Sequence, residues 1–198
     1  MHKSSCVAVV ALATFFASPA LAQTGKGTTI LGLSFGRLDV QKKPNYSSLQ
    51  ALFLPSVGKF VSDRVAIGAS VPLGYSRSKS VYNGSISRSQ NLEIGVVPWL
   101  RYYIPATSQH QFFGELGAGP VLDSYRQNQG RSYNNLYLMA NIGAGYTYFV
   151  APTVGLEALL AYGLNGGTSD IFGTTALSLH LGIRAYLPKK AAPALPTE

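Results

Sequence analysis

Residues 175–187, TALSLHLGIRAYL, alternate strictly between aliphatic side chains and small or polar ones. Leucine, isoleucine and alanine occupy every second position from Leu177 to Leu187, with serine, histidine, glycine, arginine and tyrosine between them. Alternation over this length predicts a β-strand whose two faces differ in polarity. The fold of the chain therefore depends on which of the two faces meets water.

The same alternation recurs along the chain and predicts eight strands. They span residues 28–38, 48–60, 65–76, 90–103, 111–123, 135–149, 154–164 and 175–187. Short turns are expected at 61–64, 104–110 and 150–153, and longer polar loops at 39–47, 77–88, 124–134 and 165–174. An even number of strands joined alternately by short turns and long loops is typical of an up-and-down barrel that crosses a membrane.

The polar face of these strands is dominated by glycine, which weakens a strand on an open surface. A narrow closed barrel has room inside for only a few large side chains, so a glycine-rich face fits there. Only 12% of the residues are charged, compared with about 25% in ordinary globular domains. The sequence therefore predicts an all-β fold, an eight-stranded antiparallel up-and-down transmembrane β-barrel with its aliphatic face towards lipid. A soluble β-sandwich or lipocalin-like barrel is the less favoured alternative.

Residues 1–22 have the form of a secretory signal peptide, with a basic start and an uncharged apolar segment at 7–16. Ala20-Leu21-Ala22 forms an A-x-A cleavage site, so we expect cleavage between Ala22 and Gln23. Because Cys6 is the only cysteine, the exported chain holds no disulfide. The predicted domains are the signal peptide at 1–22, the barrel at 23–187 and a flexible tail at 188–198.

Aromatic side chains cluster at strand ends beside the short turns. We expect them to form a girdle at one membrane interface, where aromatic rings are favoured. The residues concerned are Phe60, Tyr102, Tyr103, Phe112, Phe113, Tyr148, Phe149 and Tyr186.

Several charged or titratable side chains fall on the predicted lumen face. A charge inside a narrow barrel needs a partner, and equal spacing about the turns predicts two cross-strand pairs, Arg101–Glu115 and Glu157–Arg184. We expect closure of the barrel to join the pairs in one network, unless strand stagger gives them other partners. The predicted lumen set is Glu93, Arg101, Glu115, Glu157, His180 and Arg184, with Glu93 placed near His180.

The long connections carry more basic than acidic residues, namely Lys42, Lys43, Arg77, Lys79, Arg88, Arg126 and Arg131. If these loops are extracellular, they face the phosphates of lipopolysaccharide; the alternative is an ordinary solvated loop surface. Nucleic acid is not expected as a partner, because the basic residues are spread over the chain rather than gathered in one stripe.

Motifs for catalysis or cofactor binding are absent from the sequence. There is no Cys/His metal spacing, no H-E-x-x-H and no phosphate-binding glycine loop, so we expect no enzymatic activity, cofactor or metal. Ser178 and His180 share one strand face and leave open the alternative of a barrel enzyme that acts on envelope lipid. A narrow ion-conducting channel is a second alternative.

Three segments resemble a known family. PSVGKFVSDRVAIGASV (55–71), VPWLRYYIP (97–105) and FFGELGAG (112–119) look like the small outer-membrane β-barrel domain proteins of the OmpA/OmpX-like superfamily. The resemblance implies a barrel inserted by the barrel-assembly machinery into the outer membrane of a Gram-negative bacterium. It also implies a structural role. From the sequence as a whole we expect a monomer whose role is structural or adhesive through its loops. Such barrels usually end on an aromatic residue, whereas PKKAAPALPTE follows Leu187 here.

Overall fold

The computed structural model describes residues 25–188 apart from 83, 129, 131 and 167–173. The described residues form ten β-strands: β1 (Thr29–Lys43), β2 (Tyr46–Phe60), β3 (Val65–Ser70), β4 (Leu73–Tyr82), β5 (Ser85–Gly95), β6 (Val97–Pro105), β7 (His110–Gln127), β8 (Ser132–Ala151), β9 (Val154–Gly166) and β10 (Thr174–Leu187). No helix in the described part of the chain is long and apolar enough to cross a membrane.

The ten segments make eight barrel strands. The register of β2 against β3 continues into β4 without a shift, so β3 and β4 are two halves of one barrel strand. Likewise β5 and β6 pair in one continuous register with β7. All pairings are antiparallel, and β1 pairs with both β2 and β10, which closes the sheet. The predicted eight-stranded up-and-down barrel is confirmed.

Prolines explain why two barrel strands are interrupted. Val71 N donates to Pro55 O (2.8 Å), Gly95 N to Pro72 O (3.2 Å), and Val96 N to Pro120 O (3.1 Å). Proline has no N–H to donate in return. Each pair therefore keeps one of the two hydrogen bonds that opposed residues exchange in an antiparallel ladder.

The strands extend much further than predicted at one end of the barrel. We call this the hairpin end, and the end at which β1 begins and β10 finishes the terminal end. The predicted loops 39–47, 77–88 and 124–134 are mostly strand, and the connections between the paired strands span only 44–45, 83–84 and 128–131. Serine, asparagine, lysine and arginine gave these segments a loop-like composition, but cross-strand pairing continues through them. In the fourth predicted loop, 167–173 lie outside the described residues.

Aliphatic side chains point outward around the barrel wall. Leu33 is 39% exposed, Ile142 56% and Leu179 55%, and the intervening residues of their strands face the lumen. The aliphatic face therefore lies outside, as the alternation predicts, and the glycine-rich face lies inside.

Aromatic rings fill the lumen at the terminal end, which corrects the predicted girdle. Phe60, Tyr103, Phe113, Phe149 and Tyr186 are 0–3% exposed and form one buried cluster with Ile30. Tyr102, Phe112 and Tyr148 alone among the eight predicted girdle residues are exposed on the outer wall. The physical reason is that neighbouring residues of a strand point to opposite faces, so each aromatic pair places one ring outside and one inside.

Candidate functional site in the barrel lumen

An ion network crosses the lumen directly above the aromatic cluster. Arg101 and Glu115 are register partners on β6 and β7, and Arg101 Nε donates to Glu115 Oε2 at 2.6 Å. Arg101 is 1% exposed and Glu115 9%. The equal spacing of these two residues about the turn at 106–109 brings them opposite each other.

Glu157 joins the two predicted pairs. Its Oε2 accepts from Arg101 Nη1 at 2.8 Å and from Arg184 Nε. Its Oε1 accepts from Tyr186 Oη at 2.7 Å and from Thr147 Oγ1 at 3.2 Å. Glu157 lies opposite Gly182 in the register rather than opposite Arg184, so the long arginine side chain reaches it diagonally.

Two further polar side chains bind to the network. Arg184 Nη1 donates to Ser56 Oγ at 2.7 Å, and Asn141 Nδ2 donates to Glu115 Oε1 at 3.1 Å. Two arginines and two glutamates give no net charge. Buried charges are tolerated when they are paired and hydrogen-bonded in this way.

Glycines on neighbouring strands make room for the rings that pack against the network. Arg101 Cζ lies 4.2 Å from the centre of the Phe113 ring and 5.2 Å from that of Trp99. A Cβ on Gly68 would lie 2.3 Å from Trp99 Cζ2, and one on Gly145 would lie 2.2 Å from Phe113 Cζ. The large lumen side chains therefore require a glycine opposite them.

Sequence reasoning missed several members of this site. Ser56, Trp99, Asn141, Thr147 and Tyr186 all contact the charged residues. The signal available was parity, because each falls on the lumen-facing positions of its strand. Parity alone does not say which lumen residues lie at the same height.

Glu93 and His180 lie apart from the network. Glu93 is the register partner of Asp123, and its Oε1 accepts from Asn91 Nδ2 at 3.5 Å. His180 Nε2 lies 2.8 Å from Ser178 Oγ. Both residues line a cavity of about 400 Å³ that extends above the network as far as Arg37. Glu93 and His180 thus have separate hydrogen-bond partners within one cavity, and their predicted proximity stays a prediction.

The Ser178–His180 pair lacks the third group that a nucleophilic site uses. Within the described residues, no carboxylate is hydrogen-bonded to His180, whereas a catalytic base is ordinarily oriented by such a group. Ser178 Oγ also donates to Ala161 O at 3.4 Å. Over the same part of the chain, no cluster of three or more His, Cys, Asp or Glu side chains could hold a metal ion.

Six of the seven predicted basic residues lie on strands rather than in loops, because cross-strand pairing continues through those segments. Lys42 and Lys43 end β1, Arg77 and Lys79 lie on β4, Arg88 on β5 and Arg126 on β7, while Arg131 lies outside the described residues. Five of them are exposed on the outer face of the wall at the hairpin end: Lys42, Arg77, Lys79, Arg88 and Arg126. Lys43 falls on the opposite face.

No protein family model and no curated protein sequence matches the chain. Among solved structures, the N-terminal β-barrel domain of Pseudomonas aeruginosa OprF is similar, with a TM-score of 0.51 and 16% identity over 82% of this chain and 99% of that one. Ail of Yersinia pestis has a TM-score of 0.42 and 12% identity over 81% and 98% of the two chains. Neisserial surface protein A has a TM-score of 0.41 and 18% identity over 80% and 95%. With the closed eight-stranded wall described above, the OprF similarity shows that the chain has the fold of the small outer-membrane β-barrels.

Proposed function

We propose that the protein is an integral outer-membrane barrel with a structural and interaction role rather than an enzymatic one. The observation that carries this proposal is the unbroken outward display of aliphatic side chains around a closed wall, exemplified by Leu33, Ile142 and Leu179. Soluble proteins rarely expose apolar patches of this extent. In a bilayer the same surface meets acyl chains, and closure satisfies the backbone hydrogen bonds.

In this proposal the hairpin end faces the cell exterior and the terminal end faces the periplasm. The support is the asymmetry of the strands: β1, β2, β4 and β5 continue past the aliphatic band as polar hairpins, whereas the terminal end closes in short turns. Short periplasmic turns and longer extracellular projections are the usual arrangement in such barrels. Contacts with partners at the cell surface would then use hairpin walls more than loops.

The proposed partners are outer-membrane lipid with its lipopolysaccharide, and the barrel-assembly machinery during insertion. Tyr186 is the aromatic residue closest to the end of the last strand, and its ring points into the lumen. We therefore propose that the assembly machinery recognises the end of β10 with Leu187, rather than an aromatic residue, on the lipid-facing side. We propose a monomer, because pairing of β1 with β10 from Thr29 opposite Leu187 to Phe35 opposite Leu181 closes the sheet and leaves no free edge over that span.

The two alternative functions each meet an obstacle in the lumen. A lipid-modifying enzyme needs its reactive pair at the wall surface, and Ser178 and His180 both line the internal cavity. A channel needs a continuous water path, and the ion network and aromatic cluster fill the lumen below that cavity.

Cell fractionation tests the proposal. We expect the protein in the outer-membrane fraction, cleaved after Ala22, with a gel mobility that changes on heating because the folded barrel resists detergent. Recovery of a mature, soluble protein by gentle periplasmic extraction would exclude a membrane barrel.

A further inference from the structure

We infer that the outer wall at the hairpin end carries a binding site for the phosphate groups of an anionic lipid in the surrounding leaflet, with lipopolysaccharide as the source. The site is formed by the outward-facing residues Lys42, Arg77, Lys79, Arg88 and Arg126, which we call the basic belt. This inference rests on the membrane location proposed above.

The basic belt consists of two adjacent rows across neighbouring strands. Arg77 on β4 pairs with Gln90 on β5, which pairs with Arg126 on β7. One step further from the membrane, Lys79 pairs with Arg88, and Ser47 links Lys79 to Lys42. Paired strands lie about 4.8 Å apart, and residues two positions apart on a strand about 7 Å. The exposed Gln90 therefore lies among four cations.

No negative charge among the described residues compensates the belt. Lys79 and Arg88 are directly opposite each other on one face, an arrangement that is unfavourable for like charges. Within the described residues, none of the five cations forms an ion pair. The described strand carboxylates, Asp39, Glu93, Glu115, Asp123 and Glu157, fall on the lumen face. Cations gathered in this way, with no ion-pair partner in the described part of the chain, favour an anion from outside the chain.

The direction of the belt favours a lipid over a soluble anion. Arg77 follows Leu73 and Tyr75 at every second position of the outward face of β4. On the outward face of β5, Ile94 and Leu92 are succeeded towards the hairpin end by Gln90 and then Arg88. The cations thus point sideways from the barrel, at the level just above the acyl chains where lipid phosphates lie. Arginine binds phosphate with two parallel hydrogen bonds, which suits Arg77 and Arg126 on either side of Gln90.

The test measures lipid retention by the full-length protein in nanodiscs of phosphatidylcholine, with and without added lipid A. The variant is Arg77→Gln/Arg126→Gln. The matched control is Lys59→Gln/Arg64→Gln, which removes two exposed cations at the terminal end and gives the same net charge. Heat-dependent gel mobility verifies that both variants are folded. Dephosphorylated lipid A tests whether phosphate is the group recognised.

We expect wild-type and control proteins to retain lipid A in native mass spectra and to lose it as salt is raised. The Arg77→Gln/Arg126→Gln variant should bind lipid A about 25-fold more weakly, on the basis of roughly five-fold per basic residue near an anionic surface. Equal retention by wild type and variant, or equal retention of dephosphorylated lipid A, overturns the inference. Preferential binding of soluble heparin in discs without lipid A would assign the belt to a soluble polyanion instead. A folded barrel that binds neither leaves the proposed membrane function intact and removes the lipid site.

Discussion

Glu157 is buried and accepts hydrogen bonds from four side chains. Arg101 and Arg184 neutralise its charge, and Thr147 and Tyr186 complete its coordination. Removal of one partner from such a group leaves other charges buried without compensation, so the cost exceeds the net value of the pair. At Gly68 and Gly145, an aromatic ring from another strand occupies the space that a side chain would take.

Glu157→Gln is expected to lower the free energy of unfolding by about 3–5 kcal/mol, because Arg101 and Arg184 lose their shared counter-charge. The measurement is urea unfolding in detergent of Glu157→Gln, Arg184→Met and the double variant. The double variant should be more stable than the sum of the single effects predicts. Glu93→Gln is the control, since Glu93 forms no ion pair among the described residues. A coupling energy near zero would contradict the network.

Gly68→Ala should destabilise the barrel by about 1–3 kcal/mol, because the added Cβ would overlap its neighbours. That Cβ would lie 2.2 Å from Val57 O and 2.3 Å from Trp99 Cζ2. Gly163→Ala is the matched control on the lumen face, with its nearest neighbour 3.7 Å away, and should change stability by less than about 0.5 kcal/mol. Equal unfolding midpoints for the two variants would show that the lumen is not tightly packed at Trp99.

The strands are longer than the sequence predicts, because their polar ends remain paired at the hairpin end. The β1–β2 hairpin keeps pairing from Leu38 opposite Ala51 to Lys43 opposite Tyr46, and β7 and β8 pair out to Arg126 and Ser132. Cross-strand pairing within the hairpin therefore continues where the composition predicts a loop. A strand therefore presents lipid-facing residues in its middle and charged residues further along the same face.

Ile142→Arg, in the middle of the outward face of β8, should cost about 2–4 kcal/mol, because the charge enters the lipid-facing band. Val40→Arg on the outward face of β1 should cost about 0–1 kcal/mol, since Val40 is aligned with Leu49 and Arg77 at the level of the basic belt. Unfolding in lipid bilayers compares the two. Similar costs at the two positions would mean that the membrane band is placed wrongly along the wall.

The whole molecule is a closed wall around a lumen filled at one end. The cavity of about 400 Å³ lies on the hairpin side of the ion network, and Phe60, Tyr103, Phe113, Phe149 and Tyr186 fill the terminal side. The network and the rings hold each other in place, because Arg101 stacks on Phe113 and Tyr186 donates to Glu157. The lumen is therefore closely packed at the terminal end.

Planar-bilayer recording should therefore detect no steady conductance for the wild-type protein. Among the described residues, buried aromatic rings and paired charges fill the lumen at the terminal end. Glu93→Gln, which changes a residue of the cavity above the network, serves as a control and should also be silent. Stable, uniform conductance steps from purified wild-type protein would require a lumen more open than the one described here.

Alternation with a period of two by itself determined the number of barrel strands, their two faces and the class of fold, because the side-chain direction of a strand is a local property of its backbone. It also predicted that Arg101 lies opposite Glu115, since a short turn fixes the register of the two strands that it joins. Only the tertiary structure decided that Glu157 lies opposite Gly182 and still binds Arg184, because stagger between strands sets height in the lumen. It also placed the residues of the basic belt on strands rather than in loops, since cross-strand hydrogen bonds rather than composition determine where a strand ends.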